Sequence, residues 1–240
     1  MLDFHYKEID TDGQATLEAI DKADHFNEWM YQTIKPYCKG KVLEIGSGIG
    51  NITRYFIRDQ FDITGSDLRL SYCSVLLQKF PRTPILELDL VDPDFDTKFA
   101  HLLQTFDTVY ALNVVEHIKD DDLAIANAKK LLKQDGHLVI LVPAYQALYN
   151  RFDTVLEHYR RYNKTSLNTL LNKHFTLIHS QYFNVIGILG WFFSGTILKK
   201  RTVPADQMSL FNKLVFIFRL ADKLLLNKMG LSVISVGKKR

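Results

Sequence analysis

The 240-residue chain is 47% hydrophobic and 24% charged with a net charge of +3, the balance of a folded domain long enough for one α/β core. The modest charge and the lack of an aromatic–basic recognition motif argue against a nucleic-acid partner. Two well-separated cysteines, Cys38 and Cys73, form no metal-ligand pair, so no metal is expected; reduced thiols and a cytoplasmic setting are.

Residues 1–8 lack the basic-then-apolar layout of a secretory signal. Residues 16–37 have helical spacing, with Phe26, Trp29, Met30, Thr33 and Ile34 on one side, and Pro36 with Lys39-Gly40 ends the run. This predicts a helical cap over residues 1–40.

The β-branched, apolar run Val42-Leu43-Glu44-Ile45 reads as a parallel strand buried on both faces. It breaks into Gly46-Ser47-Gly48-Ile49-Gly50-Asn51, a strand-to-helix turn that needs unusual φ/ψ and lets backbone approach a ligand closely. A dinucleotide fingerprint would need a third glycine at Asn51, but the glycine falls one position early, at Gly50. A second strand ends at Asp67, 17 positions beyond Gly50, close to the separation that sets a carboxylate on ribose hydroxyls. Capping the helix over residues 68–80 is the competing use of Asp67.

A third strand over residues 83–90 ends at Asp89, and a fourth runs from Phe106 towards Leu112-Asn113-Val114-Val115-Glu116-His117. Asp120 opens an amphipathic helix that Asp135-Gly136 stops, and residues 137–143 form a fifth buried strand. Five alternations of strand and helix predict a mostly parallel sheet covered on both faces, with ligands outside the carboxyl ends of its strands.

Past Pro143 the loop-like run holds Tyr145, Tyr149, Arg151, Asp153, Glu157, His158, Tyr159, Arg160, Arg161 and Tyr162, where substrate chemistry is expected. His158 is the candidate general base, with holding the loop as its structural alternative, and Arg160 and Arg161 are candidate grips for a phosphate or carboxylate. His117 reads as a scaffold residue. Residues 183–198 carry no charge but are too short and too glycine-interrupted to span a bilayer; they read as an insertion over the substrate mouth, a lipid-touching surface, or packing on the sheet edge. From Lys199 onward ten Lys/Arg face two acids, so the rest of the chain carries about −5. A helix over residues 211–226 and a closing strand over residues 231–237 complete the chain.

The stretch Glu44-x-Gly46-x-Gly48-x-Gly50 strongly resembles the first motif of class I S-adenosylmethionine-dependent methyltransferases, and Leu112-Asn113-Val114 before Glu116-His117 resembles their post-strand motif. The resemblance implies a single Rossmann-like domain. Its seven-stranded sheet is mostly parallel with an antiparallel last strand, and a helical insertion separates the final strands. Residues 41–143 would be the cofactor core and residues 144–240 the substrate loop, insertion and closing strands. It further implies S-adenosyl-L-methionine as cofactor, held by Glu44, Gly46, Ser47, Gly48, Gly50, Asn51, Asp67 and Leu68. Asp89 would bond the adenine amino group with Leu90 near the ring, although Asp92 and Asp94 compete. Asn113 and Val114 would lie near the methionine moiety, with Tyr31 or Trp29 reaching the ligand from the cap unless they only pack. The His158–Tyr162 run loosely resembles methyltransferases of glycan and lipid-linked assembly. The implied activity is O- or N-methylation of a small or glycan/lipid-linked acceptor, with peripheral membrane contact through the basic, apolar last third. A non-catalytic cofactor-binding module is the alternative. A nicotinamide oxidoreductase fits less well, because the only Tyr-x-x-x-Lys pairs, Tyr31/Lys35 and Tyr37/Lys41, precede the glycine loop.

Overall fold

A computed structural model describes residue 4 and residues 7–200 and 205–240. Arg201, counted in the basic run after the insertion, lies outside the described residues. The cap is two helices, α1 (Thr11–Asp21) and α2 (Asp24–Ile34), where the sequence pattern suggests one. The break is fixed by side chains. Asp10 accepts from the Gly13 N–H (2.9 Å) at the start of α1, and the Asn27 amide donates to the Ile20 carbonyl (2.8 Å) at its end, tying the first turn of α2 to the last turn of α1. A 3-10 turn, Lys35–Tyr37, carries Pro36 and ends the cap.

Strands and helices then alternate: β1 (Lys41–Ile45), α3 (Thr53–Arg58), β2 (Asp62–Asp67), α4 (Leu70–Lys79), β3 (Ile85–Glu87), α5 (Phe95–Lys98), β4 (Phe106–Leu112), α6 (Asp121–Leu131), β5 (Leu132–Pro143), α7 (Arg151–Val155), α8 (Lys164–Asn172) and β6 (Thr176–Phe183). After β6 come α9 (Gly187–Trp191), a π-helical turn (Phe192–Ile197), α10 (Ala205–Leu224) and β7 (Ser232–Lys238). The seven strands form one sheet in the order β3-β2-β1-β4-β5-β7-β6. Every pairing from β3 to β5 is parallel, and β7 lies antiparallel between β5 and β6. The Rossmann-like class and the antiparallel closing strand are therefore as expected, with the helical insertion between β6 and β7. The third strand is shorter than its sequence pattern and the fifth longer. Asp135, in left-handed conformation (φ 62°) beside Gly136, sits in an irregularity between the Phe106–Leu132 and Thr108–His137 pairs.

Alternate residues of the central strands feed two cores. Leu43, Val109, Leu138 and Ile140 pack with α6 and α8, while Val42, Tyr110, Val139 and Leu141 pack with α2 and α3. Covering both faces is why these strands show no polar alternation. The order reverses between β1 and β4, so the carboxyl ends of β1, β2 and β4 open on the crevice where such sheets bind ligands.

Candidate active site

The glycine loop is held from β2. The Gly48 N–H donates to Asp67 Oδ2 (2.9 Å) and the Arg69 N–H to Asp67 Oδ1 (3.0 Å), while Ser47 donates its N–H to the Ser66 carbonyl (2.8 Å). Asp67 thus does a turn-forming job before α4 and a loop-clamping job at once, and each oxygen keeps accepting capacity beyond its single backbone donor. Burial raises its pKa, against its backbone donors and the Arg69 charge. Gly46 (φ 69°) cannot carry a side chain: a Cβ there would come within 2.5 Å of a Val114 methyl. That contact ties the loop to the exit of β4.

α1 closes the loop from outside. The Asn51 amide donates to the Leu17 carbonyl (3.0 Å), and the Leu17 side chain lies over Gly48, 3.0 Å from where a Cβ would stand. Glu44 is buried behind the loop and accepts from the Thr53 hydroxyl; burial pushes its pKa up to about 7.

Asn113 is exposed in left-handed conformation (φ 55°) at the end of β4, its N–H bonded to the Leu141 carbonyl (2.8 Å). Asp89 is half-buried and accepts from the Val91 N–H (2.8 Å). Leu68 is exposed next to Asp67, whereas Leu90 is turned into the core and its carbonyl accepts from the Asn127 amide (2.8 Å). Of the two expected uses of Tyr31, ligand contact and packing, the structure shows packing. The residue is fully buried among Tyr55 and Phe56, and its hydroxyl donates to Asp59 (2.7 Å) just past the end of α3, so it is a core residue and no ligand contact. Trp29 likewise packs on Phe183.

The loop after β5 converges on the same exit of β4 and forms a buried polar cluster. Asp153, fully buried, accepts from His158 Nδ1 (2.8 Å), Arg161 Nε (2.7 Å) and the Asn150 N–H (2.9 Å). Arg161 also donates to the Ala144 carbonyl (3.0 Å) and lies 4.6 Å from the Trp191 ring centroid, joining the insertion to the loop. His158 is buried, and the desolvation of its charged form outweighs Asp153 and keeps its pKa low. Its ring meets that of His117 edge-on, centroids 4.6 Å apart. His117 itself opens to solvent. Beside them Glu116 is fully buried, with both carboxylate oxygens unpartnered among the described residues, and burial pushes its pKa up to about 8.

Arg160 does not join this cluster. Its guanidinium pairs with Asp121 (2.6 Å) and donates to the Lys119 carbonyl (2.6 Å), so the expected grip on an anionic acceptor is already occupied by protein. Sequence alone singles out Glu116, His117, Asp153, His158 and Arg161 separately. It does not bring them together, because the two groups lie some forty residues apart and only the β4–β5 pairing makes them neighbours.

Known proteins agree with this architecture. A family model described as a methyltransferase domain matches residues 18–183. The chain belongs to that family and has the class I S-adenosylmethionine-dependent methyltransferase fold. Among curated proteins it is similar to the probable polyketide synthase 42 of Dictyostelium discoideum, 26% identical over 154 residues and covering 54% of this chain. It is also 29% identical over 109 residues, 43% of the chain, to the 5-methylorsellinic acid synthase of Aspergillus terreus. The match spans only 6% and 4% of the length of those two proteins. Among solved structures, a chain from the complex of the Haloferax volcanii Trm112 methyltransferase activator with a methyltransferase aligns with a TM-score of 0.63 at 13% identity, over 96% of this chain and 98% of that one. The Haemonchus contortus phosphoethanolamine N-methyltransferase 2, solved with S-adenosyl-L-methionine, aligns at 0.58 and 19% identity, over 89% of this chain and 52% of that one.

Proposed function

We propose that this methyltransferase uses S-adenosyl-L-methionine to methylate an oxygen or nitrogen of a small or lipid-linked acceptor that has an apolar part. The observation that carries the reading is the close fit of Gly46 against Val114, two residues before Glu116, which brings the glycine loop to the same exit of β4 as the buried polar cluster. The residues fit the cofactor. Asp67 retains acceptor capacity for ribose hydroxyls, Leu68 offers an exposed apolar side chain next to it for a flat ring, and Asp89 and Asn113 occupy the neighbouring strand ends. When bound, the cofactor supplies a methyl group on a positively charged sulfur. What the chain itself must do is hold an acceptor in line with that methyl group and let the acceptor proton leave. His158 is suited to removing the proton, since Asp153 fixes its ring through Nδ1 and burial keeps it neutral and able to accept at Nε2.

The insertion supports an acceptor with an apolar part. Trp191 packs on Arg161 and Phe152, next to this cluster, while Leu189, Phe192, Phe193 and Ile197 of the same segment remain exposed. On α10, Leu210, Leu214, Ile217, Leu220 and Leu224 form an exposed stripe at helical spacing. A groove of about 530 Å³ between α2 and α10 is lined by His25, Lys213, Arg219 and Lys223 as well as Glu28. An apolar stripe flanked by basic residues suits the surface of an anionic bilayer, and no described helix is long and apolar enough to cross one. We assign the chain a peripheral place on such a surface.

Calorimetry with S-adenosyl-L-methionine and its demethylated product tests the cofactor. Both should bind, and Asp67→Ala should weaken binding by about 1–3 kcal/mol, the cost of losing a charged acceptor. Binding of NAD with no response to either ligand would overturn the reading.

A further inference from the structure

Glu116 is the anomaly of the molecule. A fully buried carboxylate normally has donors, and this one has none on either oxygen among the described residues. Arg161 is close enough to act on it electrostatically, but its guanidinium is bonded through Nε to Asp153 and through Nη1 to the Ala144 carbonyl, and its unpartnered Nη2 makes no hydrogen bond to Glu116. Two acids, Glu116 and Asp153, therefore share one buried cation, and Glu116 has no counter-charge of its own. Two imidazoles border its carboxyl group. Ligand atoms of Glu116, His117 and His158 all lie within 4.8 Å of one another. We propose that these three side chains bind a divalent first-row transition metal, the zinc class, with one carboxylate oxygen and two imidazole nitrogens as ligands.

Each part of the cluster suits that use. His158 Nδ1 is bonded to the Asp153 carboxylate, which leaves Nε2 as its ligand atom. A carboxylate behind the far nitrogen of a metal-bound histidine is the usual outer-shell arrangement, fixing the ring and its tautomer. Two nitrogens and one carboxylate oxygen are the donor set of catalytic zinc sites, which keep a further position open. Ligands about 2.1 Å from a tetrahedral zinc lie roughly 3.4 Å apart, so the three side chains must draw inward from their present spacing. Glu116 has no hydrogen bond to break in doing so, and the exposed His117 leaves a way in for the ion.

The role of the metal rests on the methyl-transfer reading; its binding does not. In that role the open position takes an acceptor hydroxyl, whose acidity the cation raises. The O–H proton passes to water, the O–CH3 bond forms as the S–CH3 bond breaks, and the sulfur leaves as a neutral thioether. His158 is then a ligand, and the acceptor is an alcohol or phenol.

The test is a titration of chelator-treated protein with Co2+ and, in competition, Zn2+, following the visible absorption of bound Co2+. S-adenosyl-L-methionine binding is measured on each sample. Wild type should take up one equivalent with a spectrum of mixed nitrogen and oxygen ligation. Glu116→Gln and His158→Gln should each abolish that spectrum, and Asp153→Asn should weaken binding about 10- to 100-fold, the outer-shell range. His174→Gln, which alters a histidine bonded to Asp122 elsewhere, should leave it unchanged. Failure of wild type to bind one equivalent, or binding that survives both ligand variants, overturns the metal site. If the cofactor still binds in that case, the methyltransferase reading stands; if Co2+ binds and the cofactor does not, the metal site stands without it.

Discussion

The two edges of the crevice are built by opposite means. On the β1–β2 side the protein offers mostly backbone: three glycines in left-handed conformation, one carboxylate taking two N–H groups, and a helix laid over the turn. On the β4–β5 side it offers side chains buried in pairs, with Asp153 holding two cationic or titratable partners and Glu116 holding none. Backbone sites tolerate a common ligand across many chains, because the loop geometry alone does the binding. Side-chain sites carry specificity and cost stability, because each buried charge depends on its neighbour.

The largest expected effect follows from that dependence. Asp153→Ala strands the Arg161 guanidinium, which is fully buried in its side chain, and frees the His158 ring. Removing one partner of a buried pair costs about 3–5 kcal/mol, so urea denaturation should show a loss of that order. Cofactor affinity, measured by calorimetry at a temperature where the variant is folded, should change little, since Asp67 and Gly48 do not touch Asp153. A parallel collapse of cofactor binding would mean that the two edges are one cooperative unit.

This contrast also explains what the sequence disclosed. The strand, the glycine spacing, Asp67 and the parallel sheet are readable locally, because each is written within a few residues of the feature it makes. Asp67 clamps the glycine loop and forms the turn before α4 together, a double use that neither the ribose nor the capping reading anticipates by itself. Tyr31 sits on an apolar helix face, and its burial depends on α3 packing beneath it, which the helix's own sequence does not encode. Arg160 and Arg161 are adjacent and chemically alike, yet one pairs with Asp121 near the surface and the other with buried Asp153. Only the tertiary partners tell which points inward.

A second effect is a pH slope with a defined sign. Glu116, with its pKa pushed up to about 8, and Glu44, at about 7, hold protons in the folded chain that the unfolded chain releases near 4.5. Between these values the native state binds more protons, so stability falls as pH rises, by at most about 1.4 kcal/mol per pH unit for each group. His158, held neutral in the fold by burial, acts in the opposite sense, and its contribution ends once the unfolded histidine has lost its proton near 6.5. In metal-free buffer the decline should therefore be cleanest from pH 6.5 to 8. Glu116→Gln should flatten it, leaving the smaller part due to Glu44, as read from denaturation midpoints across that range. A slope unchanged by Glu116→Gln would show that this carboxyl is solvated or paired in solution, and would remove the feature that most separates the two edges.

The smallest effect concerns the exposed face of α10, beyond the β4–β5 edge. The α10 stripe is apolar and exposed along its length, from Leu210 at 61% to Leu224 at 74%, with Phe216 at 80%. A face of this kind in water favours association, and the basic residues beside it select for a negative partner. Each lysine or arginine near an anionic bilayer contributes about 1 kcal/mol, so Lys213→Ala and Lys223→Ala should each weaken binding to phosphatidylserine-containing vesicles several-fold, and added salt should do the same to wild type. Ile217→Glu, placing a charge in the centre of the stripe, should remove vesicle binding while leaving cofactor affinity at its wild-type value. Co-sedimentation with anionic and neutral vesicles measures all of these. Equal binding to neutral vesicles would assign the stripe to apolar contact alone. No binding, with a dimer in analytical ultracentrifugation that Ile217→Glu dissociates, would make a second copy of the chain its partner and return the acceptor to the soluble phase.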